Sequence, residues 1–130
     1  RTLTVESIPL KHKVPTCGFL FTERHRDQEP RKRYAYCSDT AYREQIVEQI
    51  AGVDVLYHEA TYTEKDVDKC KKHTHSTAKQ AANIARLAGV GKLVIGHFSA
   101  REDDHNVFLE EAKEVFENTV LAIERTTIDI

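Results

Sequence analysis

The segment HTHSTAKQAANIA, residues 73–85, places two histidines, a serine and two threonines directly before an alanine-rich stretch. Serine and threonine are common helix caps, whereas a histidine beside them can also exchange protons near neutral pH. His75 is therefore a candidate for proton-transfer chemistry. The alternative is that Ser76 and Thr77 only cap the helix and His75 has no chemical role.

Four further polar residues follow predicted strands: His12, Asp39, Glu59 and His97. Function gathers at such positions, because a rigid strand holds its carboxyl end while the following loop is free to present side chains. Two imidazoles and a carboxylate from different strands form a reasonable ligand set for zinc. The alternative for each residue alone is that it caps a turn or satisfies a backbone group.

The elements that must position these residues are read from the periodicity of the apolar side chains. Alternation or short apolar runs predict strands over residues 2–9, 17–23, 34–39, 53–60 and 92–98, with a closing strand or two in 119–130. Helical spacing predicts helices over residues 40–52, 77–89 and 104–118, and a loop or short helix over 63–72. Thr77 and Gln80 match a capping box, and Gly89 supplies a stop signal. Strands that alternate with helices after a paired start predict a layered α/β domain in which helices cover a sheet.

Composition limits the class of protein. The 130 residues suffice for one domain, residues 1–130, and no apolar stretch approaches the roughly 20 residues that a membrane span needs. Nineteen basic residues against 21 acidic ones do not predict a general nucleic-acid binder, so any such surface must be local. Three cysteines without a C-x-x-C spacing favour reduced thiols in a cytoplasm.

Two features of the chain suggest that it is part of a longer protein or an altered one. It contains no methionine and opens at Arg1 directly in a predicted strand, so we expect a fragment, an engineered domain or a processed product. Residues 24–33, RHRDQEPRKR, are dense in charge and are interpreted as a short exposed connection.

Five segments of the chain can be compared, in order, with those of known families: PLKHKVPTCGF, CSDT, LYHEATY, HSTAKQAANIA and GHFSAR. Together they resemble ribonuclease Z, the tRNA 3′-end processing endonuclease family of the metallo-β-lactamase superfamily. In the same order they resemble the family's His-loop-Gly-aromatic, Gly-Asp-Thr, His-Glu-Ala-Thr, His-Ser-Thr and His-x-Ser-x-Arg segments. Each is short, but five in order across residues 9–101 make a specific match over most of the chain.

The resemblance implies a two-zinc phosphodiesterase. His12 and His97 correspond to ligands of two separate zinc ions, and Asp39 corresponds to the carboxylate that bridges them. Two such metals bind the attacking hydroxide and the scissile phosphate together, which is the chemistry of phosphodiester hydrolysis.

The resemblance also assigns roles around His75. The histidine of His-Ser-Thr is catalytic in the family and could protonate the leaving 3′ oxygen, with Glu59 accepting a hydrogen bond from it. The helix start offers an anion site, where Ser76 and Thr77 divide capping from phosphate contact. Arg101 corresponds to a family arginine beside the substrate path, although a lone surface arginine is also a common salt-bridge partner.

Two family features are missing from this chain. No His-x-His-x-Asp-His cluster, which supplies most of the zinc ligands, is present in the sequence. The match therefore covers only the second half of the family's four-layer αββα sandwich, and we expect an absent N-terminal half to complete the site. The second missing feature is the family's long tRNA-binding arm, whose place is taken here by the charged link 24–33.

The sequence thus predicts the C-terminal half of a zinc-dependent endoribonuclease that removes the 3′ trailer of precursor tRNA. As this fragment alone it is expected to be inactive and to bind zinc weakly, while the full-length protein is a cytoplasmic homodimer with two zinc ions and no membrane contact. One alternative is another phosphodiesterase or hydrolase of the same fold. A second is a non-catalytic, degenerate half retained for dimerisation or RNA docking.

Overall fold

A mixed six-stranded sheet forms the centre of the molecule, as seen in a computed structural model that describes residues 1–130 except for the side chains of residues 28–30. The strands are β1 (Thr2–Pro9), β2 (Cys17–His25), β3 (Gln28–Cys37), β4 (Val55–Glu59), β5 (Lys92–Gly96) and β6 (Thr119–Leu121). Their spatial order equals their chain order. The first three strands are antiparallel neighbours, and β3 to β6 run parallel to one another. The predicted α/β class is confirmed.

Helices connect the parallel strands, because such strands need a crossover rather than a tight turn. They are α1 (Val47–Ile50), α2 (Val67–His73), α3 (Ala78–Ala88) and α4 (Asn106–Lys113). The predicted capping box of α3 is confirmed by the Thr77 and Gln80 hydrogen bonds, and Gly89 ends the helix at φ +62°. None of these helices has the length and apolar composition that a bilayer crossing requires.

The predicted helix over 40–52 is much shorter in the structure. It consists of a 3₁₀ turn, Glu44–Ile46, followed by the single turn of α1. The start is lost because tertiary hydrogen bonds hold the backbone there: the Thr40 amide donates to Glu59 and the Ala41 amide donates to the Lys11 carbonyl. Similarly, the predicted helix over 104–118 is restricted to α4, and 119–130 contains one strand.

The charged segment 24–33 forms the end of a β-hairpin. Strands β2 and β3 pair as far as His25 opposite Gln28, so Arg26 and Asp27 form the turn. The hydrophobic pattern gave no strand signal here, because the described side chains at this end of the hairpin are mostly exposed. The side chains of 28–30 lie outside the described residues.

The two faces of the sheet differ in what covers them. One row across the sheet packs with α3 in the apolar core: Leu20, Ala35, Leu56 and Leu93. Successive rows point to opposite faces, so the flanking rows point away from that core. They carry the aromatic residues of what we call the open face: Phe19, Phe21, Tyr34, Tyr36 and Tyr57. Phe19 and Tyr36 are 40% and 38% exposed.

Candidate functional site

The parallel strands bring the predicted residues to one edge of the sheet. Glu59 is the last residue of β4, His97 directly follows β5, and Asp39 lies two residues beyond β3. His75 stands in the connection between α2 and α3, and His12 lies between β1 and β2. Because carboxyl ends of parallel strands meet at one edge, residues far apart in the chain converge there.

Glu59 is the centre of the hydrogen-bond network. Its side chain is fully buried, yet its carboxylate accepts four hydrogen bonds. Oε1 accepts from His75 Nδ1 and the Thr40 amide, both at 2.7 Å. Oε2 accepts from Thr61 Oγ1 at 2.6 Å and from the Ser76 amide at 3.0 Å. Burial alone would raise the pKa of Glu59, but the hydrogen bonds from His75, Thr61 and the Ser76 amide, with the charge of His75, outweigh it and lower the pKa below its ordinary value.

His75 is fixed by this carboxylate. Its bond to Glu59 raises the pKa of the imidazole above the ordinary value, while partial burial acts in the opposite direction. The ring centroid lies 5.3 Å from that of His12 and 5.4 Å from that of His97. Since Nδ1 is bonded to Glu59, Nε2 is the nitrogen left for chemistry.

Asp39 and His97 are in direct contact. His97 Nε2 lies 3.1 Å from Asp39 Oδ1, and both side chains are partly exposed. Together with Glu59 and His75 they form a group whose possible ligand atoms all lie within 4.8 Å of one another. Imidazole nitrogen and carboxylate oxygen fit zinc, manganese or iron, so the donor chemistry suits a divalent metal.

His12 lies next to His75, at a distance of 5.3 Å between the ring centroids. Its Nδ1 is 3.0 Å from the Thr74 carbonyl oxygen, which can only accept, so Nδ1 carries the proton and Nε2 is free to bind a metal. The structure therefore brings all five predicted residues together, and His75 is a close neighbour of both His12 and His97.

Three non-glycine residues of this edge adopt left-handed backbone conformations: Asp39 at φ 57°, Thr74 at φ 55° and His97 at φ 61°. Such conformations are uncommon, cost free energy and cluster at functional sites. Two of these residues present candidate metal-binding side chains, and the third presents the carbonyl that holds His12. Local sequence patterns gave no signal for these angles.

Ser76 and Thr77 face into the protein. Both are fully buried. Ser76 Oγ donates to the Thr40 carbonyl, and Thr77 Oγ1 donates to Glu64 while it accepts from the Gln80 amide. These hydrogen bonds brace the loop that carries His75, and substrate contact by the two hydroxyls stays a prediction.

The expectation of an anion site at the start of α3 is wrong. The amides of Ala78, Lys79 and Gln80 donate to the Tyr62 carbonyl, the Glu111 carboxylate and Thr77 Oγ1. The first turn is thus occupied by acceptors from the protein itself. The sequence could not show this, since Glu111 lies 32 residues from Lys79.

Arg101 is exposed beside the site. It lines a cleft of about 440 Å³ together with Lys65, Lys69 and Thr61. Both lysines pair with carboxylates, Lys65 with Glu102 and Lys69 with Asp66, whereas Arg101 has no ion pair within 4.0 Å among the described side chains. Contact of Arg101 with the substrate stays a prediction.

Sequence reasoning missed Thr61 and Thr74. Thr61 Oγ1 lies between Glu59 and His97, and the Thr74 carbonyl holds His12. Thr61 does belong to the quoted segment LYHEATY, which was a usable signal, whereas the contact through the Thr74 backbone had none.

Comparison with known proteins agrees with the motifs. Residues 1–98 match the family model described as the beta-lactamase superfamily domain. Ribonuclease Z of Bacteroides fragilis (strain YCH46) is 40% identical over 173 aligned residues, and ribonuclease Z of Azobacteroides pseudotrichonymphae is 45% identical over 157. These alignments cover all of this chain but only 57% and 54% of the relatives, so the chain spans just over half their length. The resemblance to the C-terminal part of ribonuclease Z is confirmed.

Solved structures give the same fold. The short form of human tRNase Z aligns with a TM-score of 0.77 at 28% identity, over 98% of this chain and 43% of the human one. A metallo-beta-lactamase fold protein from Bacillus subtilis has a TM-score of 0.78 at 23% identity, over 92% of this chain and 46% of that one. The half-sandwich predicted from the sequence is thus the observed fold.

Proposed function

The chain belongs to the beta-lactamase superfamily, and on this premise we propose that it is the C-terminal half of a zinc-dependent endoribonuclease that removes the 3′ trailer of precursor tRNA. The observation that carries the proposal is the joint placement of two pairs at one sheet edge. Glu59 with His75 forms a proton-transfer pair, and Asp39 with His97 forms part of a metal site.

His75 is the proposed general acid. Glu59 holds Nδ1 and favours the protonated ring, so Nε2–H can donate to the 3′ oxygen as the phosphorus–oxygen bond breaks. The oxygen of water forms the new bond to phosphorus, which leaves a 3′ hydroxyl on the tRNA and a 5′ phosphate on the trailer. Two zinc ions would be held by His12, Asp39 and His97 together with ligands from the other half. When bound, they would supply an activated hydroxide and offset charge on the phosphate.

The proposed docking surface for that other half is the open face. Phe19 and Tyr36, with the exposed Leu3 and Val5 of β1, leave an apolar surface on this side of the sheet, while residues within 122–130 line a cavity over Tyr57. Two sheets of a sandwich bury such faces against each other. Because the Bacteroides fragilis relative, of which the 173 aligned positions are 57%, is more than twice as long as this chain of 130 residues, the N-terminal half of the same protein is the occupant we propose.

Precursor tRNA is the proposed substrate, with Arg101 as one phosphate contact. The 173 positions aligned with the Bacteroides fragilis relative exceed the 130 residues here by 43. A two-residue hairpin turn, Arg26–Asp27, stands within the segment where we place the missing arm. We therefore propose that the arm is absent from this chain and that contacts near the site carry more of the binding.

A cytoplasmic location and a homodimer complete the proposal. Cys17, Cys37 and Cys70 are all free, which suits a reducing compartment. Burial raises the pKa of the Cys37 thiol to about 12, so that thiol is unreactive. The homodimer rests on the family resemblance alone.

A direct test compares His75→Gln with His73→Gln in the protein that carries this chain. With precursor tRNA, we expect His75→Gln to lower kcat by about 10²- to 10⁴-fold and the neighbouring control to retain activity. Product ends are mapped for a 3′ hydroxyl. Turnover of a bis-aryl phosphate without cleavage of precursor tRNA would favour another phosphodiesterase of the fold, and no turnover of either would favour a non-catalytic module.

A further inference from the structure

Thr61 connects the buried carboxylate to the metal-site edge. Its hydroxyl oxygen lies 2.6 Å from Glu59 Oε2 and 3.1 Å from His97 Nδ1. Thr61 is 7% exposed, so water does not compete freely for these bonds. The hydroxyl is thus placed to bond two partners at once.

The donor and acceptor roles follow from the chemistry of the three groups. An ionised carboxylate only accepts, so the single hydroxyl proton points to Glu59. The Thr61 oxygen then accepts from His97 Nδ1–H. A histidine that binds a metal is neutral and carries one proton, so with that proton on Nδ1 the Nε2 atom of His97, which lies 3.1 Å from Asp39 Oδ1, would bind the ion together with that carboxylate.

We propose that Thr61 is a positioning residue of the metal centre: through its hydroxyl, Glu59 fixes the tautomer and ring orientation of His97. The inference rests on the proposed function only in taking His97 as a metal ligand. Glu59 also holds His75 directly, so one buried carboxylate orients two neighbouring imidazoles, His75 by direct contact and His97 through Thr61. Ligand histidines commonly depend on such an outer partner for their orientation and basicity.

The main chain around Thr61 supports this role. The Thr61 carbonyl accepts from the Ser99 amide at 2.9 Å, and the Ala60 amide donates to the Gly96 carbonyl at 2.8 Å. Both contacts tie the segment after β4 to the loop that carries His97. The branched side chain of threonine restricts its first torsion angle, so the hydroxyl is held where His97 needs it.

The test measures Zn²⁺ affinity, by competition with a chromophoric chelator, in the protein that carries this chain. Thr61→Val keeps the shape and removes the hydroxyl, whereas Thr61→Ser keeps the hydroxyl. We expect Thr61→Val to weaken Zn²⁺ binding by about 10- to 100-fold and Thr61→Ser to stay within about threefold of wild type. Thr61→Ala is a second hydroxyl-free variant should valine prevent folding.

Thr119→Val is the matched control. Thr119 is also buried and also donates its hydroxyl, to the Phe116 carbonyl at 2.6 Å, but it lies at β6. The Zn²⁺ affinity of the Thr119→Val variant should equal that of wild type. Wild-type affinity in both hydroxyl-free variants, or equal losses in Thr61→Ser and Thr61→Val, would overturn the inference.

Cleavage of precursor tRNA by the wild-type protein is measured in parallel. If wild type does not cleave RNA while Thr61→Val still loses Zn²⁺ affinity, the positioning role stands and the proposed function fails. If wild type cleaves RNA and Thr61→Val binds Zn²⁺ and cleaves RNA normally, the positioning role fails and the proposed function stands.

Discussion

His58 and Glu59, although adjacent in β4, are joined by a hydrogen bond in which His58 Nδ1 donates to the Glu59 carbonyl at 2.7 Å. The pairing of β3 with β4 ends at Cys37 opposite His58, so Glu59 lies beyond the last paired residue of β3. His58 is fully buried, and its Nε2 has no hydrogen-bond partner among the described residues. Burial lowers the pKa of His58, while the carbonyl and carboxylate of Glu59 oppose the shift.

A pH-dependent stability follows from that lowered pKa. Below about pH 6.5 the unfolded chain binds a proton at His58 that the folded chain resists, so this contribution is full above pH 6.5 and is lost as the pH falls. His58→Asn keeps a donor near the Nδ1 position and removes the titration. The free energy of unfolding is measured with urea at pH 7.5 and at pH 5.5. Between these two pH values wild type should lose up to about 1.4 kcal/mol more of this free energy than the variant does. The exposed His105→Asn should track wild type, and an equal shift there would contradict the assignment.

Glu59→Gln should impair both catalysis and stability. The amide nitrogen of glutamine cannot accept a hydrogen bond. Where it replaces the carboxylate oxygen that faces Thr61 Oγ1 and the Ser76 N–H, these two donors would not both be satisfied. We expect a loss of about 1–3 kcal/mol in the free energy of unfolding and a fall in kcat, because His75 loses its charged partner. Chemical denaturation and single-turnover cleavage measure the two effects. Unchanged kcat would remove Glu59 from the proposed mechanism.

Arg101→Ala should weaken substrate binding more than the chemical step. Arg101 is exposed and has no ion pair within 4.0 Å among the described side chains, so its charge is available to a phosphate. With precursor tRNA we expect a higher KM, nearly unchanged kcat and a shallower salt dependence. Arg86→Ala, in α3, where Arg86 bonds Asn83, is the charge-matched control. If the two variants behave alike, Arg101 has no specific role.

The stability of the Phe19→Glu variant should show whether the open face is buried in the protein that carries this chain. Phe19 is 40% exposed here, and Leu87 of α3 is 42% exposed, which makes Leu87→Glu a close control. A charge placed in a sheet interface should lower the free energy of unfolding by several kcal/mol, whereas the same charge on a solvated helix should change it by about 0.5 kcal/mol or less. Similar denaturation midpoints for both variants would argue against an occupant on the open face.

The isolated 130-residue chain should bind zinc weakly and cleave no RNA. His12, Asp39 and His97 supply three ligands for two metals, too few for a tight dinuclear site. Equilibrium dialysis should therefore give less than two tightly bound zinc ions per chain, and a co-expressed N-terminal half should restore both binding and cleavage. A stable two-zinc stoichiometry in this chain alone would contradict the prediction.

Local signals in the sequence determined much of this protein. The Thr77–Gln80 capping box, the stop at Gly89 and the strand runs were predicted, because caps and periodicity act between residues a few positions apart. The candidate residues were predicted as well, since their positions at strand ends follow from the same patterns. The strand ends within the segment 24–33 were not predicted, because exposed charged strands lack the alternation of apolar side chains.

Only the tertiary structure decided which groups of the site are hydrogen-bonded to one another. The carboxylate of Glu59 reaches His75 across 16 positions, Thr61 reaches His97 across 36, and the Thr74 carbonyl reaches His12 across 62. It also paired the Lys79 amide with Glu111 and the Thr40 amide with Glu59, which removed an expected anion site and shortened an expected helix. Buried polar groups must find partners wherever the fold places them, and a local pattern does not specify those partners.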